Sequence, residues 1–314
     1  MSAAEPPPTL PAPLYQGAVN TWECDANGHL NVRFYLERAM VGLAYMASAL
    51  GLRRAFAADA GATLAPRELH VRFLKEAHAS DPLSMRGGVL AFGESDADLC
   101  FDLHHFDGAP SATFRLKVAH VEPHELKPFP WSERSKSAAK ALRASLPKHA
   151  EPRGVDLTRP PAAANLARAK ELGARRIGGH LVTPDQCDAF GRLRFEHVFG
   201  RVSDSVPHLF TGWRRAAMEA GAPATLGGAV VEARVVFRAW PRAGDLIELH
   251  SAVVEAQPKF TRIVHWLLDP CSGGAWASLE VVAVNFDLAT RKAIDLPEAL
   301  MALRRGALIP DMSV

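Results

Sequence analysis

One short segment, residues 22–31, carries the residue types that could do chemistry. It reads W-E-C-D-A-N-G-H-L-N and brings together a carboxylate, an imidazole and an amide: Asp25, His29 and Asn31. Apolar residues recur at helical spacing directly after it, so these groups lie where a helix is predicted to begin. The free N–H groups at a helix start carry partial positive charge, and Gly28 permits close backbone approach. The segment is therefore a candidate catalytic site.

The segment has a weaker copy in the second half of the chain. Residues 187–194 read C-D-A-F-G-R-L-R and match the first copy at five of eight positions. The copy keeps its carboxylate, Asp188, but has Arg192 and Arg194 where the first copy has His and Asn. These replacements predict that the second half has lost catalysis and that its arginines contact a phosphate or carboxylate of a substrate.

An alternative for the second copy stays open. Asp188 could form a second site together with Glu196 or His197, which follow it on the predicted helix. Two unlike halves could then support two specificities.

The repeat extends well beyond the motif. Phe73 and Phe237 are separated by the same 164 residues as Asp81 and Asp245, and both halves read as a strand, a long helix and four strands. Strands are predicted over 64–75, 83–92, 99–106 and 112–121 in the first half, and over 176–182, 229–239, 245–256, 261–268 and 275–287 in the second. A helix is predicted over 195–220. The length of 314 residues suits two such domains.

The pattern also predicts where the domains begin and end. Five segments are predicted. Residues 1–13 form a proline-rich leader without fixed structure, 14–122 a first domain, and 123–172 a linker with one short helix near Ser132–Leu146. Residues 173–290 form a second domain and 291–314 a tail. The linker region from Ser132 to Arg176 has 11 Lys or Arg against four Asp or Glu. It is either a solvated connector or a segment that attracts a phosphate-rich ligand.

Composition narrows the possible partners. The net charge of +2 argues against a dedicated nucleic-acid binder, and four cysteines without C-x-x-C spacing predict no metal site and free thiols in a reducing compartment. The leader lacks the features of a secretory signal. The longest mostly apolar run, residues 39–52, is too short to span a membrane. A cytoplasmic protein that does not bind membranes is predicted.

Two adjacent histidines were weighed as metal ligands. His104 and His105 lie on a predicted strand, so their side chains should point to opposite faces. They are therefore interpreted as ordinary strand residues.

The motif resembles a known family, the hotdog-fold acyl-CoA thioesterases of the 4-hydroxybenzoyl-CoA type. Their signature is an aromatic residue, an Asp, two spacers and Gly-His-x-Asn, and the first copy matches it from Trp22 to Asn31. Tyr35 falls where that family often has a tyrosine. The resemblance implies an α+β protein of two tandem hotdog domains, each a long central helix wrapped by an antiparallel sheet, paired as an intrachain pseudo-dimer.

The resemblance also implies a function. The chain is expected to hydrolyse an acyl-CoA or acyl carrier protein thioester, without a cofactor and with one main site in the first half. Asp25 would attack the acyl carbon or deprotonate water, and Gly28 with its neighbours would bind the carbonyl oxygen. Asn31 would orient Asp25, His29 would donate to the thioester or the leaving thiolate, and Tyr35 would contact substrate.

Two other functions stay open. One is a non-catalytic acyl-CoA sensor or binding protein, and the other is a hotdog hydratase of enoyl thioesters. A homodimer or higher oligomer of the double-domain chain is also possible.

Overall fold

The chain divides into two compact units. The computed structural model describes residues 10–219, 226–287, 289–290 and 292–314. The first unit extends to Glu151 and also contains Asp188–Phe190, and the second contains Pro152–Cys187 and Gly191–Val314.

The first unit combines one long helix with a five-stranded sheet. Its elements, in chain order, are β1 (Ala12–Ala18), α1 (Val32–Ala49), β2 (Thr63–Phe73), β3 (Pro82–Phe92), β4 (Asp96–His105), β5 (Pro110–Val121) and α2 (Glu133–Ala141). The strands pair in the order β1-β3-β4-β5-β2, and every pair is antiparallel. The polypeptide thus forms one continuous sheet against which α1 can pack.

Helix α1 buries one face because its apolar residues recur every three or four positions. The buried positions include Leu36, Ala39, Leu43 and Met46. Gly42 lies on the same face, where a Cβ atom would come within 2.7 Å of the Met85 sulfur. The small residue therefore allows the helix to lie close to the sheet.

The second unit repeats this construction. Its elements are α3 (Leu166–Glu171), β6 (Arg175–Leu181), α4 (Phe195–Glu219), β7 (Leu226–Phe237), β8 (Leu246–Ala256), β9 (Phe260–Leu268), β10 (Ala275–Asp287) and α5 (Glu298–Gly306). Its strands pair in the order β6-β8-β9-β10-β7, all antiparallel, which is the order of the first unit. Each unit is a hotdog domain, so the predicted α+β fold with two tandem hotdog units is confirmed.

Helix α4 contains a proline. It is a single helix of 25 residues with Pro207 inside it, although a proline cannot donate a backbone hydrogen bond within a helix. The Thr211 hydroxyl donates to the Pro207 carbonyl at 2.6 Å, in the next turn. The predicted last residue of this helix, position 220, lies outside the described residues.

Both ends of the described chain contain more regular structure than the leader and tail that the sequence predicts. The expected leader reached residue 13, but Leu10 is already buried and β1 begins at Ala12. The expected tail contains α5, and Met312 and Val314 are buried in one cluster with Trp266. Positions 1–9 of the leader lie outside the described residues. Both corrections have one physical cause, since apolar residues at these ends cover a sheet face.

The linker has more structure than one short helix. Helix α2 ends at Ala141, earlier than expected, and is capped by Ser132, whose side chain accepts from the Ser135 N–H. Helix α3 follows later in the linker, and the boundary between the two units falls within it, after Glu151.

None of the helices in the described part of the chain has the length and apolarity that a membrane crossing requires.

A buried histidine in the second unit makes stability depend on pH. His265 on β9 is fully buried, and its Nδ1 lies 2.6 Å from the Ser251 hydroxyl on β8. Burial lowers the pKa of His265 from 6.5 to about 3. The unfolded chain therefore takes up this proton below pH 6.5 while the folded chain stays neutral, so acidification favours unfolding.

We expect His265 to cost about 1.4 kcal/mol of unfolding free energy for each pH unit between 6.5 and 4. Denaturant unfolding of the native chain and of His265→Gln, followed by tryptophan fluorescence at several pH values, measures this contribution. The variant should show a flatter dependence of stability on pH, because glutamine can bond Ser251 but does not titrate. Equal slopes for the two proteins would contradict the assignment, and the exposed His124→Gln serves as the control.

Candidate active site

The motif forms a tight turn between a short 3-10 helix, Thr21–Glu23, and α1. The Asp25 N–H donates to the His29 carbonyl at 2.7 Å, and the Gly28 N–H donates to the Asp25 carbonyl at 3.0 Å. Gly28 has a φ of +79°, a conformation that side chains with a Cβ rarely adopt. A Cβ there would meet no other atom, so the backbone angle is what favours glycine.

The two oxygens of the Asp25 carboxylate have different environments. Oδ1 accepts the N–H groups of Asn27 at 2.8 Å and His29 at 3.3 Å, as in an Asx turn. Within the described part of the chain, no hydrogen bond reaches Oδ2. The side chain is partly exposed. One oxygen therefore holds the carboxylate in place, and the other can act on a substrate.

His29 lies in a small cluster of titratable side chains. Its imidazole is buried, with Nε2 at 3.4 Å from Oε2 of Glu76, and its ring meets the His78 ring edge-on at a centroid distance of 5.2 Å. A β-bridge joins the backbones of His29 and His78. Glu76 and His78 follow β2 and were missed from the sequence, because only the strand pairing shows that this loop meets the motif.

Gly28 and Asn31 take roles other than those expected. The Gly28 N–H is used within the turn, so it is not a free donor for a carbonyl oxygen. Asn31 is the N-cap of α1, and its side chain accepts the Arg33 N–H at 3.0 Å. The hydrogen bonds that Asp25 accepts from described residues come from backbone N–H groups, so the expected orientation of Asp25 by Asn31 is corrected.

Tyr35 is a core residue of α1. Its ring is 5% exposed and packs edge-on against Phe73, and its hydroxyl accepts the Ala77 N–H at 3.2 Å and lies 3.5 Å from the Ser111 hydroxyl. Burial raises the pKa of its hydroxyl, against hydrogen bonds from Ser111 and Ala77 that lower it. This hydroxyl thus secures the loop that contains Glu76, and contact of Tyr35 with a substrate stays a prediction.

A buried ion pair attaches the motif to α1. Arg38 donates to Oε1 of Glu23 at 3.2 Å and to Oε2 at 2.9 Å, and both side chains are at most one-tenth exposed. The same guanidinium donates to the carbonyls of Phe34 and Ala18. Burial alone would raise the pKa of Glu23, but hydrogen bonds from Arg38 and from the Asn20 backbone lower it overall. The carboxylate is therefore ionised, and the pair is bidentate.

The second motif keeps the same scaffold. Arg201, at the position of Arg38, donates to the side chain of Gln186, which replaces Glu23, and to the Leu181 carbonyl. Gly191 has a φ of +76°, and Asp188 Oδ1 accepts the Phe190 N–H at 2.9 Å. The turn is thus retained without the charge of Glu23.

The chemistry around that second turn differs. Arg192 occupies the position of His29 and forms the equivalent β-bridge with Arg242, which stands where the first unit has His78. Trp240 stands at the position of Glu76. The second motif thus has arginines and an indole where the first has two imidazoles and a carboxylate.

Arg194 interacts with two neighbouring side chains. Its guanidinium forms an ion pair with Glu196 at 3.0 Å and contacts His197 Nε2 at 3.0 Å. Glu196 and His197 are both buried. A second site of Asp188 with Glu196 or His197 stays a prediction. Contact of Arg192 or Arg194 with a substrate stays a prediction.

Sequence comparison places both halves in one pattern. The model of the Thioesterase-like superfamily matches residues 19–141 and 182–303, so it covers both motifs and most of both sheets. No curated protein shows significant sequence similarity to the chain.

Solved structures share the fold across both units. A protein provisionally designated an oleoyl thioesterase from Lactobacillus plantarum has a TM-score of 0.64 at 12% identity, with 87% of this chain and 95% of that chain covered. An acyl-ACP thioesterase from Bacteroides thetaiotaomicron gives 0.60 at 13%, with 86% and 96% covered. A 12:0-ACP thioesterase from Umbellularia californica gives 0.64 at 10%, with 87% and 93% covered. At these identities the likeness establishes the fold.

The Glu23–Arg38 pair yields a stability prediction. Arg38→Met leaves a buried carboxylate without its partner and should cost about 3–5 kcal/mol of unfolding free energy. Glu23→Gln should cost only about 0.5–1.5 kcal/mol, because the second unit combines Gln186 with Arg201 in the same place. Denaturant unfolding measures both values. Equal losses for the two variants would contradict this prediction, because they would show that the attachment depends on the charge of Glu23.

Proposed function

Because one sequence pattern spans both halves, the chain belongs to the thioesterase-like superfamily, and we propose that it hydrolyses an acyl thioester at Asp25 in the first unit. The observation that carries this proposal is that the two oxygens of the Asp25 carboxylate differ in their hydrogen bonds. Oδ1 is held by two backbone N–H groups, and Oδ2 receives no hydrogen bond from the residues that the structure describes. A positioned oxygen with a free lone pair is what attack on a carbonyl carbon requires.

Two routes use this oxygen, and both have balanced steps. In the first, Oδ2 attacks the acyl carbon, the carbon–sulfur bond breaks, and the thiolate leaves; water then hydrolyses the mixed anhydride to the acid and free Asp25. In the second, Asp25 takes a proton from water as that water attacks, the carbon–sulfur bond breaks, and the thiolate takes a proton from His29. The proton on Asp25 then replaces the one that His29 gave up. Both routes convert thioester and water into acid and thiol.

His29 is the proposed proton donor to the leaving sulfur. It follows Asp25 across the tight turn, and its Nε2 lies 3.4 Å from the Glu76 carboxylate. Glu76 is therefore a candidate to orient the ring. The edge-on contact with His78 restrains the ring further.

Acyl-CoA and acyl carrier protein thioesters are the proposed substrates. Two of the structural neighbours are acyl-ACP thioesterases by name, which makes this substrate class a reasonable expectation here. The basic linker region, residues 132–176, supports the same class, since both carriers present phosphate or acidic surface. Four free cysteines fit the reducing cytoplasm as the compartment. A homodimer or higher oligomer stays a prediction.

The second half of the chain is proposed as a structural partner without its own catalysis. It keeps the turn and the carboxylate of Asp188 but has Arg192 in place of His29 and Trp240 in place of Glu76. A carboxylate alone lacks the proton donor that the leaving group needs.

Matched substitutions of the two aspartates test this assignment. Asp25→Asn keeps a side-chain oxygen that can accept from Asn27 and His29, so the turn is preserved while the nucleophile or base is lost. We expect thiol release from a panel of short, long, aromatic and charged acyl-CoAs to fall by about 100-fold or more. Asp188→Asn, which makes the same change in the second turn, should stay within about threefold of the native rate.

Other results would point elsewhere. Equal damage from Asp25→Asn and Asp188→Asn would reverse the assignment of the two halves. Saturable binding of acyl-CoA without thiol release would identify a sensor, and loss of the enoyl absorbance from an enoyl-CoA, without thiol release, would identify a hydratase.

A further inference from the structure

A second cluster of titratable side chains lies on β4, away from the motif. Asp102 and His104 are two residues apart on this strand, so their side chains lie on the same face of the sheet. A short 3-10 helix, Lys148–Ala150, passes over this face and brings His149 to the same place. The His149 Nε2 lies 2.7 Å from Asp102 Oδ2, and the His104 Nε2 lies 3.3 Å from that oxygen.

The position of His149 is fixed independently of its imidazole. Arg72 on β2 donates to the backbone carbonyls of His149 at 2.6 Å and Glu151 at 3.1 Å. Ala150 is buried in an apolar cluster with Leu10 and Cys100. The backbone therefore holds the imidazole over the sheet, so the three donor groups are preorganised.

Asp102 is a buried carboxylate with one oxygen that lacks a hydrogen-bond partner among the described residues. The residue is 4% exposed, and its Oδ1 has no hydrogen-bond partner among the residues that the structure describes. Arg86, which lies opposite Asp102 on β3, uses its guanidinium on the carbonyls of Leu10 and Pro11. A cation beside Asp102 would compensate a buried carboxylate.

The donor set and its spacing fit a transition metal. The three donor atoms lie within 4.8 Å of one another, and the ligands of a tetrahedral zinc ion at about 2.0–2.1 Å lie about 3.4 Å apart. Two imidazoles and one carboxylate suit zinc better than magnesium or calcium, which prefer oxygen ligands. His104 and His149 are about one-third exposed, so an ion and a water molecule have access.

We propose that Asp102, His104 and His149 bind a divalent transition-metal ion, with zinc as the best match, and that the ion fastens the Lys148–Ala150 segment to β4. Water completes the coordination. The site is separate from Asp25 in sequence and in role, because here the metal stabilises the unit and takes no part in thioester cleavage. Spacing in the sequence gave no signal for it, since His149 stands more than 40 residues after His104.

The test is a titration of the full-length chain, without a histidine tag, after treatment with a chelator. Added Co²⁺ should give visible absorption bands of a four-coordinate site that saturate at one equivalent, and Zn²⁺ should displace them. His149→Gln and His104→Gln should each weaken binding by more than about 100-fold, beyond the effect of losing an outer-shell partner. Zinc should also raise the Tm of the native chain and leave that of both variants unchanged.

His78→Gln is the matched control, because it removes a histidine from the other cluster of the first unit that could hold a metal, His29 with Glu76 and His78. It should bind Co²⁺ as the native chain does. The proposal is overturned if the native chain takes up no Co²⁺, if His78→Gln loses the bands while His149→Gln keeps them, or if all variants bind equally. Circular dichroism of each variant shows that a lost band does not reflect a lost fold.

Discussion

The architecture of the site depends on one buried contact, the bidentate pair of Arg38 and Glu23. The Arg38 guanidinium also donates to two backbone carbonyls, one at the end of β1 and one in the first turn of α1. A single planar cation thus joins a strand, the motif and the helix. Its fixed fork geometry restricts the rotation of the motif relative to α1. The Asp25 turn begins two residues after Glu23, so its position follows from this pair.

The two units show which part of this design is scaffold and which part is chemistry. Arg201 and Gln186 reproduce the attachment in the second unit without a negative charge, so its geometry does not require an ion pair. The glycine with positive φ and the Asx-type contact of the aspartate are also kept. By contrast, the groups that can transfer protons are replaced by arginines and a tryptophan. The two motifs therefore differ mainly in side chains that the turn itself does not need.

Much of the fold could be predicted because its signals are local. Period-two runs gave the strands to within a few residues, and the constant offset gave the repeat. The motif identifies Asp25 and His29 as candidates because the two residues lie close together in the chain. Glu76 and His78 could not be found in this way, since strand pairing brings them to His29 from a loop about 45 residues away.

Three residues of the predicted site have structural roles that the sequence does not show. Gly28, Asn31 and Tyr35 each form a hydrogen bond with a buried or terminal backbone group. A sequence shows which atoms could bind a substrate, and it does not show which of them the backbone has already used.

The hydrogen bonds of each carboxylate oxygen explain how Asp25 can combine a structural role with the proposed chemical role. A carboxylate has two oxygens, and here the turn uses Oδ1 while Oδ2 is left over. An asparagine could form the same turn with its one carbonyl oxygen, and its other terminal atom would be an amide that cannot attack or accept a proton. The demand of the turn alone would therefore be met by Asn, and the charged residue at this position is explained by the second oxygen. The proposed function of the motif thus depends on one atom, Oδ2, whereas the contribution of Asp25 to folding depends on Oδ1.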